Sequence, residues 1–257
     1  MLTGVWEKQK PLRLASNMMG TKKIWFLDIK PQNKKMQMKK VKYSYLLIGI
    51  FFSMVMLSCK PSFISKWTKE EAPEYFTAKF ETTKGSFEIE SRRSWSPAAV
   101  DRLYQLLKHG FYKDIAIYRV MPDYIAQFGI HNDSTVSSIF RKVKIIDEPV
   151  LKTNSKGTIS FARGGPETRG TNLFINLKDN SPRLDTLTYL NVAGFPGIAQ
   201  VTSGFDVVAS FYDGYGAELN DKQDSIATYG NKYLQENYPK LDYIQKAYLT
   251  GESKNEI

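Results

Sequence analysis

The chain has 257 residues, of which 42% are hydrophobic, enough for one sizeable domain and a leader. Its formal net charge is +10, but residues 1–58 carry 11 basic and 2 acidic side chains, whereas the remaining residues carry 25 basic and 24 acidic ones. Because the part able to fold is nearly neutral, it lacks the basic surface of a nucleic-acid-binding protein, and we predict no nucleic-acid partner.

Residues 38–58 have the composition of a secretory signal peptide. Lys39 and Lys40 precede an apolar run at residues 43–57, and Ser58 supplies a small residue at the cleavage point. The run is short for a membrane-spanning helix, which needs about 20 apolar residues. We therefore predict a signal peptide over residues 38–58, with a single uncleaved membrane anchor as the alternative.

Cys59 follows this segment directly and is the one cysteine of the chain, so an intramolecular disulfide is excluded. Residues 56–59 read Met-Leu-Ser-Cys and resemble the lipobox of bacterial lipoproteins. The resemblance implies lipidation of Cys59, a membrane partner reached through that anchor, and a location in the bacterial cell envelope with the domain in the periplasm. Residues 1–37 are then a mis-assigned or disordered N-terminal extension, and residues 59–74 comprise the lipidated cysteine and a tether.

The rest of the chain shows mostly strand-like alternation. Phe76, Ala78 and Phe80 share one face of a half-buried strand, and an apolar stripe from Pro97 to the stop at Gly110 predicts a helix. Further predicted strands cover residues 87–89, 115–120, 124–130, 158–162, 173–177, 198–201 and 243–250, and further predicted helices cover residues 206–212 and 225–236. Many strands with few helices are typical of a mainly antiparallel barrel.

Two separated segments carry the most specific pattern. Residues 114–129 read D-I-A-I-Y-R-V-M-P-D-Y-I-A-Q-F-G, and residues 157–175 read G-T-I-S-F-A-R-G-G-P-E-T-R-G-T-N-L-F-I. They resemble, in the same order, the F-H-R-V strand with its P-G-F-M-x-Q-G-G continuation and the G-x-L-S-M-A-N-x-G-P-x-T-N-G-S-Q-F-F-I segment of cyclophilin-type peptidyl-prolyl isomerases. The resemblance implies a closed eight-stranded antiparallel barrel capped by two helices, formed by residues 75–257, in which the segment from Tyr212 to Ile244 is a C-terminal extension.

The resemblance also implies the functional residues. Arg119 falls on the arginine that drives catalysis, because a permanently charged guanidinium can donate to the prolyl nitrogen and weaken the amide resonance. The predicted substrate-binding residues are Tyr124, Ile125, Gln127, Ala162, Arg163, Asn172, Phe174 and Leu184. Tyr118, Asn172 and Arg183 stand where the family has a histidine, a glutamine and an aromatic residue, and the family's late pocket histidine has no counterpart that can be aligned.

We therefore predict a peptidyl-prolyl cis-trans isomerase that acts on X-Pro bonds of unfolded or extended envelope proteins, as a monomer and without a metal or cofactor. The alternative is a catalytically weak or inactive cyclophilin-fold module that binds proline-containing segments. Taken singly, an arginine on an alternating strand is usually a solvated surface residue, and Phe174 is usually a core residue. The two motifs at matching spacing favour the functional interpretation of both.

The lipid anchor is open to a direct test. We expect metabolic labelling with a fatty acid to mark the wild-type chain and to fail in Cys59→Ser, because the serine lacks the thiol that would carry the lipid. Several acyl chains anchor stably where one binds only marginally, and the variant should also fail to mature. Ser62→Ala is the matched control and should be labelled like the wild type. Unchanged labelling of Cys59→Ser would contradict the assignment.

Overall fold

The computed structural model describes residues 65–253, so the predicted N-terminal extension, the signal peptide, Cys59 and the first part of the tether lie outside the described residues. Within residues 65–253, no helix is both long enough and apolar enough to span a membrane.

The strands of residues 65–253 are β1 (Tyr75–Thr82), β2 (Gly85–Arg92), β3 (Lys113–Ala116), β4 (Arg119–Met121), β5 (Ile125–Phe128), β6 (Thr158–Phe161), β7 (Leu173–Asn176), β8 (Thr188–Tyr189), β9 (Val192–Ala193), β10 (Gly197–Ser203) and β11 (Tyr243–Ser253). Nine of them form one antiparallel main sheet, in the order β3-β11-β1-β2-β10-β6-β7-β5-β4, and β8 pairs with β9 in a separate hairpin.

The predicted mainly β fold is confirmed, but the prediction of a closed eight-stranded barrel is wrong. The sheet is open, because β3 and β4 lie at its two ends and are not paired with each other. The single strand predicted at residues 115–120 is interrupted at Ile117 and Tyr118, and the N–H of Ile117 donates to the carbonyl of Asp242 at 2.9 Å. Since β3 pairs with β11 and β4 pairs with β5, these two residues carry the chain from one sheet edge to the other.

Within the described residues 65–253, five α-helices accompany the sheet: α1 (Pro97–Lys108), α2 (Ser134–Lys142), α3 (Ser181–Leu184), α4 (Phe205–Ala209) and α5 (Gln223–Asn237). Helices α1, α4 and α5 correspond to the three predicted ones, whereas α2 and α3 lie outside them. Helix α1 buries Leu103 and Leu107 in the main core. Helix α5 buries Ile226 and Leu234 in a second cluster that also contains Tyr118. The two longest helices therefore pack on separate apolar clusters.

The segment before β1 packs on α1. Residues Ser65–Lys69 form a 3-10 helix, in which Trp67 stacks on His109 with ring centroids 3.9 Å apart. The carbonyl of Glu70 accepts a hydrogen bond from Gln105 at 2.6 Å, and the Glu70 carboxylate lies 3.0 Å from the ammonium of Lys108. These residues belong to the predicted tether, and in the structure they are part of the packed domain.

Strand alternation separates a core face from an outer face near the candidate site. Val120, Ala126 and Ile175 belong to the main core cluster. Their neighbours along the same strands, such as Gln127 and Phe174, are directed to the opposite face because successive strand side chains alternate. The buried patterns of β5 and β7 therefore arise from coverage on both faces, not from a wholly apolar strand.

Gly129 permits a close approach between the end of β5 and the segment that precedes β7. Its φ of 120° is one that residues with a side chain rarely adopt. A β-carbon built there would overlap the carbonyl oxygen of Thr171 and lie 2.8 Å from the α-carbon of Asn172. The hydroxyl of Thr171 also donates to the carbonyl of Gly129 at 2.8 Å. Glycine at position 129 therefore sets how near Asn172 lies to β5.

We expect Gly129→Ala to lower the free energy of unfolding by about 2–6 kcal/mol, because backbone strain and overpacking each cost about 1–3 kcal/mol. Gly110→Ala is the matched control. Gly110 also has a positive φ, of 68°, but a β-carbon there would meet no atom within 4 Å. The control should lose only about 1 kcal/mol from the left-handed backbone. Equal losses of the two variants in urea denaturation would show that the close approach is not the cause.

Candidate active site

A row of side chains crosses three neighbouring strands on the outer face of the sheet. Arg119 of β4 is the register partner of Gln127 of β5, and Gln127 is the register partner of Phe174 of β7. Cross-strand partners have β-carbons about 4.5–5.5 Å apart. The antiparallel register therefore brings an arginine, an amide and an aromatic ring side by side, although they are far apart in sequence.

This row forms one side of a cavity of about 330 Å³. A volume of this size is at the lower end of the range for ligand pockets, about 300–1,000 Å³. The structure brings together in its lining all nine residues predicted to be catalytic or substrate-binding: Arg119, Tyr124, Ile125, Gln127, Ala162, Arg163, Asn172, Phe174 and Leu184. Their individual roles stay predictions.

The orientation of Arg119 is set by a chain of hydrogen bonds. Its Nη1 donates to Oε1 of Gln127 at 3.0 Å, and its Nη2 donates to the sulfur of Met121 at 3.2 Å. Nε2 of Gln127 in turn donates to the hydroxyl of Tyr118 at 2.6 Å. Both Gln127 and Tyr118 are buried, and burial raises the pKa of the Tyr118 phenol well above its usual value. The neutral hydroxyl therefore acts as a fixed acceptor at the base of this chain.

The part of the cavity around Phe174 is apolar. Ile125, Phe174 and Leu184 form a small buried cluster of their own, against which Tyr124 and Ala162 pack. Phe195 completes it, with its ring centroid 5.7 Å from that of Phe174 in an edge-to-face arrangement. An aromatic and aliphatic pocket beside a cationic donor can hold a small apolar ring while a polar group next to that ring receives a hydrogen bond.

A buried asparagine network supports the apolar side from beneath. Nδ2 of Asn154 donates to the carbonyl of Phe195 at 2.7 Å, and its Oδ1 accepts from Nδ2 of Asn176 at 3.2 Å. Asn180 donates to Oδ1 of Asn176 at 2.9 Å and to the carbonyl of Tyr124 at 2.8 Å. All three asparagines are buried. Two pocket residues from distant parts of the chain are thereby tied through one polar network.

Arg163 and Ala162 already make hydrogen bonds within the protein. The guanidinium of Arg163 donates to the carbonyls of Val192 and Gly194, at 2.8 and 2.9 Å, and lies 4.7 Å above the ring of Phe195. Burial lowers the pKa of this guanidinium. The N–H of Ala162 donates to the carbonyl of Asn172 at 2.9 Å, so this N–H is engaged within the protein. Arg163 therefore secures the cavity wall.

Five lining residues lie outside the predicted set: Gly164, Thr168, Phe195, Asn220 and Gln223. Gly164 and Thr168 lie within the second motif, so the sequence alone could have predicted that they lie near the site. Phe195 lies in a stretch where the resemblance offers no alignment, and Asn220 and Gln223 come from the C-terminal extension. Arg183 lies outside the lining and stacks on Tyr124, with its guanidinium 5.7 Å from the ring centre.

Removing the Tyr118 hydroxyl tests the hydrogen-bonded chain. We expect Tyr118→Phe to lower the free energy of unfolding by about 1–3 kcal/mol, because the buried Nε2 of Gln127 loses its acceptor. Tyr229→Phe is the matched control, since Tyr229 is 67% exposed, and its loss should stay within about 0.5 kcal/mol. Guanidinium denaturation of both variants measures the difference. Indistinguishable midpoints would mean that Tyr118 does not hold Gln127.

Comparison with known proteins is consistent with this arrangement. The family model for cyclophilin type peptidyl-prolyl cis-trans isomerase/CLD matches residues 77–230. Peptidyl-prolyl cis-trans isomerase-like 1 of Aspergillus fumigatus is 33% identical over 110 residues, which are 41% of this chain and 67% of that protein. The protein of the same name from Neurospora crassa is 33% identical over 152 residues, which are 58% of this chain and 85% of that protein.

Among solved structures, the crystal structure of a cyclophilin type peptidyl-prolyl cis-trans isomerase from Cryptosporidium parvum matches with a TM-score of 0.46 and 15% identity, covering 70% of this chain and 99% of that chain. The family model covers more than half of the 257 residues and includes both sequence motifs. The chain therefore belongs to the cyclophilin-type peptidyl-prolyl cis-trans isomerase family.

Proposed function

We propose that this protein catalyses cis-trans isomerisation of X-Pro bonds in unfolded or extended polypeptides. The observation that carries the proposal is the placement of the Arg119 guanidinium and the cluster of Ile125, Phe174 and Leu184 in the lining of one cavity. The guanidinium can donate a hydrogen bond to the polar amide of a prolyl bond, and the apolar cluster can hold the proline ring. Membership of the family supports the same class of reaction.

The reaction needs rotation about an amide bond and no bond cleavage. Amide resonance gives that rotation a barrier of about 18–20 kcal/mol, and uncatalysed X-Pro exchange takes about tens to hundreds of seconds. A guanidinium N–H that donates to the prolyl nitrogen stabilises the twisted amide, because in that geometry the nitrogen lone pair no longer delocalises into the carbonyl. A hydrogen bond from a charged group contributes about 1.5–3 kcal/mol, or about one to two decades in rate.

Arg119 has donors to spare for this task. A guanidinium carries five N–H groups, and two of them are used by Gln127 and Met121. Nε is buried and has no hydrogen-bond partner within residues 65–253. The bond to Gln127 fixes the plane of the guanidinium, so the remaining Nη donors keep one direction. A donor that is oriented in advance loses little entropy when the substrate arrives.

The apolar cluster supplies the remainder of the catalysis in this account. Phe174 and Leu184 hold the proline ring still, and the acyl side of the bond rotates past Arg119. The carbonyl of Ala162 and the side chain of Asn172 bind the substrate backbone. Exclusion of water from this side strengthens the hydrogen bond from Arg119, because a lower local dielectric increases electrostatic attraction.

We further propose that the clients are envelope proteins, and that the chain is a bacterial lipoprotein whose periplasmic domain is monomeric and held at a membrane by lipid on Cys59. Support for this part comes from the leader alone, where an apolar run ends at Met-Leu-Ser-Cys. The relatives named above are fungal proteins and do not bear on the anchor. The near-neutral charge after residue 58 supports protein clients over nucleic acid.

A binding module without catalysis is the second candidate. The observation in its favour is that the polar side of the cavity is engaged within the protein, since Arg119 bonds Gln127 and Asn172 bonds Gln223 at 3.3 Å. Such a module would bind the proline ring in the same apolar cluster but would leave the rotation rate unchanged. Measured rates with a proline peptide separate the two candidates.

We expect Arg119→Ala to lower the rate constant for isomerisation of a proline peptide by at least about tenfold, because the charged donor is lost. Arg119→Lys should recover little, because an ammonium does not reproduce the planar donor fork. Arg92→Ala is the matched control. Arg92 lies on β2 against Tyr75, and its replacement should leave the rate within about twofold.

Circular dichroism should show all three variants folded, since Arg119 is not part of the core. Equal rates for the wild type and Arg119→Ala, both above the uncatalysed rate, would remove Arg119 from the mechanism. A wild-type protein that binds the peptide without accelerating its isomerisation would establish the binding module instead.

A further inference from the structure

The C-terminal extension forms part of the candidate active site. A 3-10 helix at Glu218–Lys222 leads directly into α5, and this junction places Asn220 and Gln223 in the lining of the cavity. Asn220 is exposed and Gln223 is half-buried. Two carboxamide side chains therefore face the polar side of the cavity from a segment that lies beyond both sequence motifs.

The side of the cavity formed by Asn220 and Gln223, here called the carboxamide wall, is anchored to the strand region that carries Arg119. Leu219 and Ile226, which flank the two amides in sequence, are buried in one cluster with Ala116 and Tyr118. Tyr118 is also the residue whose hydroxyl holds Gln127. The extension and the Arg119 hydrogen-bond chain thus share a packed support, which makes the wall a fixed part of the cavity.

Gln223 contacts a short side chain in the segment just before β7. Asn172 stands where the family has a glutamine, which is one methylene longer, and its Nδ2 donates to Oε1 of Gln223 at 3.3 Å. Nε2 of Gln223 donates to the carbonyl of Asn220 at 3.1 Å and to its Oδ1 at 3.4 Å. Oδ1 of Asn172 is buried without a partner within residues 65–253. A carboxamide oxygen has two acceptor sites, so Oε1 of Gln223 can accept a further hydrogen bond in addition to the one from Asn172.

We propose that Gln223, assisted by Asn220, is a substrate-binding residue that holds the peptide backbone beside the proline. This inference rests on the proposed isomerase function and narrows its substrate class. The preferred substrate is an extended polypeptide with several residues around the X-Pro bond, because a backbone amide beyond that bond is what a carboxamide wall can bind. A capped X-Pro dipeptide fills the apolar pocket and leaves this wall unused.

The test compares two peptides with the same Ala-Pro centre, a capped dipeptide and a hexapeptide, on the full-length chain. NMR exchange measurements give kcat and KM, and NMR titration gives Kd. For the hexapeptide we expect Gln223→Ala to raise KM and Kd about three- to tenfold, the loss of one or two neutral hydrogen bonds, with kcat within about twofold. For the dipeptide the same variant should match the wild type.

Two further variants separate hydrogen bonding from shape. Gln223→Leu fills a similar space without an amide and should behave like Gln223→Ala. Gln235→Ala is the matched control, because Gln235 is an exposed glutamine on the same helix that lies outside the cavity lining, and it should match the wild type with both peptides. Restoration of wild-type Kd by the leucine would overturn the hydrogen-bonding role.

The outcomes for this inference and for the proposed function are distinguishable. A Gln223→Ala protein with wild-type KM and Kd for the hexapeptide overturns the inference, even if the wild type isomerises both peptides. A wild type that binds the hexapeptide without isomerising it overturns the proposed function, and the Kd comparison still decides the role of Gln223. A wild type that binds neither peptide overturns both.

Discussion

The candidate site depends on one buried amide. Gln127 uses its Oε1 to hold the Arg119 guanidinium and its Nε2 to bond Tyr118, and it lies on the strand between the one that carries Arg119 and the one that carries Phe174. An unsatisfied polar group in this position would cost about 1–3 kcal/mol, so both ends of the amide need their partners. The same two bonds that satisfy Gln127 also fix the direction of the only cation proposed to act on the prolyl bond.

Two further sets of contacts support the cavity. The asparagine network of Asn154, Asn176 and Asn180 ties the carbonyls of Phe195 and Tyr124 beneath the apolar side. The C-terminal cluster packs against Tyr118 behind the polar side. Because fully satisfied buried networks rigidify their surroundings, the cavity is expected to keep its shape before a substrate binds.

The part of the site that could be predicted from the sequence is the part encoded by local spacing. Ile125 and Gln127 are two residues apart on β5, so their side chains share a face. Asn172 and Phe174 are also two residues apart, at the start of β7. The two motifs then need only pair in register to bring these residues together. Phe195, Asn220 and Gln223 reach the cavity through tertiary packing, and nothing in their own neighbourhoods marks them.

The difference between local and long-range contacts also explains why the predicted closure of the barrel was wrong. The mainly β class follows from alternation, which is local, whereas closure depends on which strands pair. The apolar run Ile115 to Val120 alternates like one continuous strand, yet its two halves pair with different partners, β11 and β5. Asp242, more than a hundred residues away, accepts the hydrogen bond from Ile117 where the run divides. No local feature of the run predicts that contact.

The central claim is that this cavity accelerates rotation about a prolyl bond. Two-dimensional NMR exchange spectroscopy of a proline peptide with a catalytic amount of the wild-type chain tests it most directly. The account predicts cross-peaks between the cis and trans forms at mixing times well under a second, where the free peptide shows none because its exchange takes about tens of seconds or longer. Peptide signals that shift on binding, with no exchange cross-peaks at any mixing time, would contradict it.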